Sequence, residues 1–179
     1  MEIDAMANTT EHPDYIPIIR RSGLFLYWID GDGPRFARLF AETWRQLPLW
    51  ARRKLLKYWR EFIAKAVIDC KWEWHWPVIE LVADTSDFHR GNSGDAIGQT
   101  RLAGTHFGFK AGGMDTLPDA EVKFTIAHEL AHALCFAGDD AGEYVSDSDW
   151  VEIDADELAE EWGFDRDDEV LTPATVPVV

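Results

Sequence analysis

One predicted helix constrains the fold of this chain more than any other segment. It begins near Pro118 and stops at Gly138, residues typical of a helix start and a helix end. Near its middle lie three polar residues, His128, Glu129 and His132, which would be costly to bury without a metal ion or hydrogen-bonding partners. Apolar residues nonetheless lie nearly all around this helix, which is therefore predicted to be central and buried: Phe124, Ile126, Ala127, Leu130, Leu134 and Phe136.

The three polar residues belong to the motif His-Glu-Leu-Ala-His at 128–132. Two histidines four residues apart on a helix project from one face and can bind one zinc ion, and Glu129 between them is placed to deprotonate a zinc-bound water. Catalytic zinc usually has three protein ligands, so a third ligand is expected elsewhere in the chain. The metzincin pattern is excluded, because it requires Gly and His at the positions of Cys135 and Gly138.

A second predicted helix, residues 152–162, offers the third ligand. Glu152 and Asp156 are four residues apart and share a face, so one carboxylate can bind the metal while the other braces the site. The chain between His132 and Glu152 is long enough for a helix end, a loop and a return. Residues predicted to face the core from this helix are Ile153, Leu158 and Trp162. Acidic residues that compete with Glu152 are Glu143, Asp147, Asp149 and Asp154, none with a second carboxylate four residues later in as clear a helix.

The motif at 128–132, followed by Glu-x-x-Ala-Asp at 152–156, resembles the gluzincin signature of thermolysin-like zinc metallopeptidases, which include the small ImmA/IrrE-type group. The similarity covers about residues 103–164. It implies a zincin-like α+β fold, in which a small mixed or antiparallel sheet packs on the central helix and on the second ligand helix. It also implies that Zn2+ is bound by His128, His132 and Glu152, that Glu129 is the general base and acid, and that Asp156 accepts a hydrogen bond from the outer nitrogen of a zinc-binding histidine.

The sequence predicts two structured regions with a flexible segment at each end. A helical N-terminal region covers residues 17–70 and contains a β-rich run followed by a pair of amphipathic helices. A zincin-like metallopeptidase domain covers residues 71–168. Flexible segments are predicted at both ends, over residues 1–16 and 169–179.

Within the predicted domain, short strands are expected at 77–82, 99–103 and 105–110, and a turn at 111–113. In gluzincin-like folds a sheet edge beside the cleft pairs with extended substrate, and residues 105–110, directly before the zinc helix, are predicted to be this edge. His106 on that strand either contacts substrate or has a structural or solvent role. Tyr144, in the acidic loop between the two ligand helices, could stabilise an oxyanion.

Charge limits the partners of this chain. The formal net charge is −16, yet residues 20–71 hold twelve Lys or Arg against five Asp or Glu, so this stretch carries +7 and the remainder −23. Strong overall acidity argues against general nucleic-acid binding and favours a basic or neutral polypeptide substrate. The basic helical region either has a solvated or docked face or recognises a regulatory protein partner.

Two cysteines and the absence of a signal sequence or of a long apolar run predict a cytoplasmic protein that does not enter a membrane. Together with the motif, this predicts a zinc metalloendopeptidase that acts on an intracellular protein substrate. The alternative is a non-catalytic zinc-containing regulatory protein, which uses the basic, tryptophan-rich helical pair to recognise a partner.

Overall fold

The computed structural model describes residues 25–28, 31–70, 77–82, 97–101, 104–137 and 148–165. These ranges form five helices and four strands, which confirms the predicted α+β class and the helical pair. No helix within them combines the length and hydropathy needed to cross a bilayer. The elements in chain order are β1 (Phe25–Trp28), α1 (Gly33–Gln46), α2 (Leu49–Cys70), β2 (Val78–Val82), β3 (Gly98–Arg101), β4 (His106–Lys110), α3 (Ala111–Thr116), α4 (Asp119–Phe136) and α5 (Ser148–Glu161).

The four strands form one mixed sheet in the order β1-β2-β4-β3. Strands β1 and β4 run parallel to β2, whereas β3 runs antiparallel to β4. Because β4 is paired on both sides, the prediction that residues 105–110 form the sheet edge is wrong. The edge on that side of the described sheet is β3, which pairs back onto β4 and covers it.

The hydrophobic core lies between one face of this sheet and the helices. The inward-facing strand residues include Phe107 and Phe109, both fully buried. Phe36 of α1 packs on Phe109 with ring centroids 5.0 Å apart, and Trp59 of α2 packs edge-on against Phe107 at 5.9 Å. Elements from both predicted regions, 17–70 and 71–168, therefore share one core.

Helix α4 is the central element, as its apolar sequence predicts. It begins at Asp119 after Pro118, ends at Phe136, and contacts α1, α2, α5 and β3. The turn before β4 packs directly on it: Gly104 has a φ of +74°, and a methyl group there would lie 2.7 Å from the Cα of Ala133. Such close approach requires glycine. Trp59 holds this turn from the other direction, since its indole N–H donates to the Gly104 carbonyl at 2.6 Å.

Two local expectations are wrong for reasons of packing. Residues 111–113 are not a simple turn but the start of the short helix α3. This helix buries the side chain of Met114 in the core. Ile153, predicted to face the core, is 47% exposed. The fully buried side chains described in α5 are Ala155 and Ala159, and Trp162 is buried just after the helix ends. Ile153 lies outside this stripe.

Candidate metal centre

Three predicted ligands converge between α4 and α5. The Nε2 atoms of His128 and His132 are 2.9 Å apart. The carboxylate of Glu152 reaches both rings, with Oε2 at 3.1 Å from His128 Nε2 and Oε1 at 3.4 Å from His132 Nε2. Within the described ranges, these residues form the one group of His, Cys, Asp or Glu side chains arranged to hold a metal ion. We refer to His128, His132 and Glu152 as the ligand cluster.

Helix α5 brings Glu152 to this position because its inner face is small. Ala155 and Ala159 are fully buried, and methyl side chains allow α5 to pack closely on α4. The far end of α5 is anchored by Gly163, whose φ of +82° ends the helix, and by Phe164, whose N–H donates to the Ala159 carbonyl at 3.1 Å. The carboxylate is therefore carried by a helix that packs on α4 and is anchored at its C-terminal end, although Glu152 itself is 61% exposed.

A second carboxylate orients one of the imidazole rings. Asp156 Oδ1 lies 2.7 Å from His128 Nδ1, on the opposite side of the ring from the cluster. When Nδ1–H donates to Asp156, the neutral ring presents the lone pair of Nε2 toward His132 and Glu152. The structure thus brings Asp156 to the place that the sequence motif predicts for it.

The electrostatics favour a positive charge at the centre of the cluster. Hydrogen bonds with His128 and His132 hold the pKa of the Glu152 carboxyl far below its usual range. Burial alone would lower the pKa of His128, but its hydrogen bond with Glu152 and the charges of Glu129, Glu152 and Asp156 outweigh burial and raise it. Two imidazole nitrogens and one ionised carboxylate, with one ring braced from outside, are a donor set that suits zinc.

Glu129 lies beside the cluster and is almost completely buried, at 5% exposure. Burial raises the pKa of its carboxyl, while the charges of His132 and His128 and a hydrogen bond from Thr100 oppose that rise. A buried carboxyl with an increased proton affinity next to a cation-binding cluster can accept a proton more readily than one in water.

Thr100 on β3 is a neighbour of Glu129 that the sequence did not reveal. Its Oγ1 lies 2.6 Å from Glu129 Oε2 and 2.8 Å from the Glu129 backbone carbonyl oxygen. A hydroxyl carries one hydrogen, so it can donate to the ionised carboxylate, or donate to the carbonyl while accepting from the protonated carboxyl. The alternation of residues 99–103 predicts a strand, but it does not indicate which face of that strand meets α4.

The structure does not bring His106 to the cluster. Its Nε2 lies 3.1 Å from Oε2 of Glu80 on the neighbouring strand. Its neighbour Phe107 faces the helices, and since side chains alternate along a strand, His106 lies on the opposite face of the sheet from α4.

Most of the other candidate site residues fall outside the described ranges. Tyr144 lies outside the described residues, as do Glu143 and Asp147 among the competing ligands. The side chain of Asp149 is also outside the description, and Asp154 is exposed on α5. Glu152 is thus the candidate third ligand that the described structure brings to the histidines.

No protein-family model, curated protein or solved structure matches this chain. What the site can do therefore follows from its own residues. Two imidazoles and a carboxylate converge, a second carboxylate braces one imidazole, and a buried carboxyl lies beside them. This arrangement can hold a divalent cation next to a group that accepts a proton.

Proposed function

We propose that this protein is a zinc-dependent metallopeptidase of the gluzincin type with a zincin-like fold, which hydrolyses peptide bonds of a protein substrate. The observation that carries the proposal is the convergence of His128, His132 and Glu152 within hydrogen-bonding distances of one another, beside the buried Glu129. A purely structural metal site has no need of a buried base. The position of Glu129 therefore favours hydrolysis over a structural role for the metal.

In this proposal His128, His132 and Glu152 hold the Zn2+ ion, and Asp156 keeps His128 in the tautomer whose Nε2 is free to bind. When bound, the zinc ion lowers the pKa of a coordinated water and polarises a carbonyl group. Glu129 would take a proton from the attacking water and later deliver it to the amine that leaves as the peptide C–N bond breaks. Its burial favours the first of these steps, because a carboxylate removed from water binds a proton more strongly.

An extended substrate would pair with β3. Two features support this choice: β3 is the sheet edge on this side of the described sheet, and its Thr100 contacts Glu129 directly. Main-chain pairing with an edge strand binds polypeptides with little dependence on sequence. β3 thus takes the place first expected for residues 105–110.

Elemental analysis of the purified protein tests the metal site. We expect about one zinc ion per chain, because the cluster supplies one set of three ligands. His132→Ala and Glu152→Ala should each lose most of the metal. His106→Ala is the matched control, since this histidine lies beside Glu80 on the face of the sheet away from α4 and should be dispensable for metal binding. Full zinc retention in Glu152→Ala would remove Glu152 from the ligand set.

The reaction is tested by incubating the purified protein with a cell lysate, with and without a chelator, and identifying the released peptides by mass spectrometry. Cleavage that the chelator abolishes supports hydrolysis, and Glu129→Gln should keep zinc but lose cleavage. Cleavage that continues in a metal-free sample would contradict the proposal.

A second candidate function is partner binding without hydrolysis. One observation favours it: Trp50 at the start of α2 is 53% exposed and lies on the same helix as the exposed Arg53, Lys54 and Lys57. A basic surface with an exposed indole suits an acidic protein partner. Trp44 and Trp59 do not contribute to this surface, because they stack in the core. Stable complex formation by a zinc-loaded protein that cleaves nothing would favour this candidate.

A further inference from the structure

The carboxylate of Glu129 is bracketed by two residues of the edge strand. Thr100 Oγ1 lies 2.6 Å from Oε2, and a methyl group on Gly98 would lie 2.8 Å from Oε1. Residues two apart on a strand share a face, so both residues face α4. One oxygen of the carboxylate is therefore hydrogen-bonded by the strand, and the other lies against bare strand backbone.

The core sets the position of this part of the strand. Gly98 pairs with Phe109 and Thr100 pairs with Phe107, and both phenylalanines are fully buried. A shift of the β3–β4 register by one residue would turn Thr100 away from α4. Such a shift would also break the hydrogen bonds between β3 and β4 beside the core. The Thr100 hydroxyl is thus presented to Glu129 by a strand whose pairing partners lie in the core.

Glu129 needs such a contact because its side chain is long and buried. In the described part of the chain, the side-chain hydrogen bond to its carboxylate comes from Thr100. A glutamate has several rotatable bonds, and a small displacement of a catalytic group lowers the rate steeply. A fixed hydroxyl and a strand backbone in close contact restrict the carboxylate from two sides.

We propose that Thr100 is a positioning residue, which together with Gly98 fixes the carboxylate of Glu129 beside the ligand cluster. This inference rests on the proposed function of Glu129 as the base. Thr100 bonds to Glu129 and not to the cluster, so removal of its hydroxyl should change the rate of the reaction but not metal binding.

The test compares Thr100→Val, which removes the hydroxyl at nearly constant shape, with Thr100→Ser, which keeps it. We expect kcat to fall about 10- to 100-fold in Thr100→Val and to stay within about threefold of wild type in Thr100→Ser. KM should stay within about twofold, and zinc content should be unchanged. Thr125→Val is the matched control: this hydroxyl on α4 bonds to the Glu121 carbonyl, so kcat should not change.

Crystal structures of the metal-free proteins give a readout that does not depend on activity. The Glu129 carboxylate should be displaced or disordered in Thr100→Val and restored in Thr100→Ser. If the wild-type protein hydrolyses no peptide, the proposed function fails, but these structures still decide whether Thr100 positions Glu129. A carboxylate that superimposes in wild type and Thr100→Val overturns the inference, as does an equal loss of kcat in the Val and Ser variants.

Discussion

Trp59→Phe should destabilise the protein strongly, because Trp59 does three things at once in the core. Its N–H donates to the Gly104 carbonyl at 2.6 Å, its ring stacks on Trp44 at 5.8 Å, and it meets Phe107 edge-on at 5.9 Å. A phenyl ring in its place keeps part of both ring contacts but cannot donate the hydrogen bond. The turn that packs on α4 would therefore lose its anchor from α2.

The expected cost is the sum of two effects. A buried carbonyl left without its donor costs about 1–3 kcal/mol. Replacing indole by phenyl removes roughly 40 Å³ of side chain, which costs about 2 kcal/mol when the cavity and the lost burial are combined. The free energy of unfolding should therefore fall by about 3–5 kcal/mol, and the melting temperature by about 2–4 °C for each of these kcal/mol.

Urea unfolding followed by circular dichroism measures this change. Trp50→Phe is the matched control, because Trp50 is exposed and its substitution should change the free energy of unfolding by less than about 0.5 kcal/mol. If the two Trp→Phe variants are equally stable, the reasoning is refuted, since the buried hydrogen bond and ring contacts would then contribute nothing measurable.

Three further changes test the packing around α4. Arg35→Ala should lower the free energy of unfolding by about 2–3 kcal/mol in urea, since its guanidinium donates to two backbone carbonyls beside α3 and to Asp119. Gly104→Ala should cost at least about 2 kcal/mol, seen as a lower melting temperature, because of the positive φ and the contact with Ala133. Asp119→Asn should destabilise the protein modestly at neutral pH, and the deficit should vanish as the pH falls. Arg38 and Arg35 lower the pKa of Asp119, so its contribution is present above the unfolded value of about 4 and is lost as the pH falls through the folded value.

For each of these three variants, one outcome would contradict the prediction. An Arg35→Ala protein as stable as wild type would mean that water replaces the guanidinium at those carbonyls. A Gly104→Ala protein with an unchanged melting temperature would mean that the turn can move away from α4. A deficit of Asp119→Asn that grows on acidification would contradict the sign of the pKa change.

The ligand helices could be predicted from the sequence because their signals are local. Histidines four apart place His128 and His132 on one face, and the same spacing places Glu152 and Asp156 on one face of α5. Apolar residues on all sides of α4 likewise predicted its burial. These inferences need only the geometry of a helix.

The surroundings of Glu129 could not be predicted, because they depend on pairing between distant segments. Thr100 reaches Glu129 only because β3 pairs with β4 in one register and lies at the sheet edge. His106 faces away for the same reason, since the alternation of a strand does not say which face meets a helix. Ile153 was misplaced because two small alanines, Ala155 and Ala159, form the part of α5 that faces the core.

The division of the ligand cluster between two helices has a consequence for how the centre is assembled. Both histidines belong to a helix enclosed by the core, whereas the carboxylate arrives on α5, the last described helix of the chain. A polypeptide truncated before residue 148 would keep the imidazole pair but lose both Glu152 and Asp156. During synthesis, a nascent chain would therefore acquire its complete metal-binding set only after α5 has left the ribosome and docked.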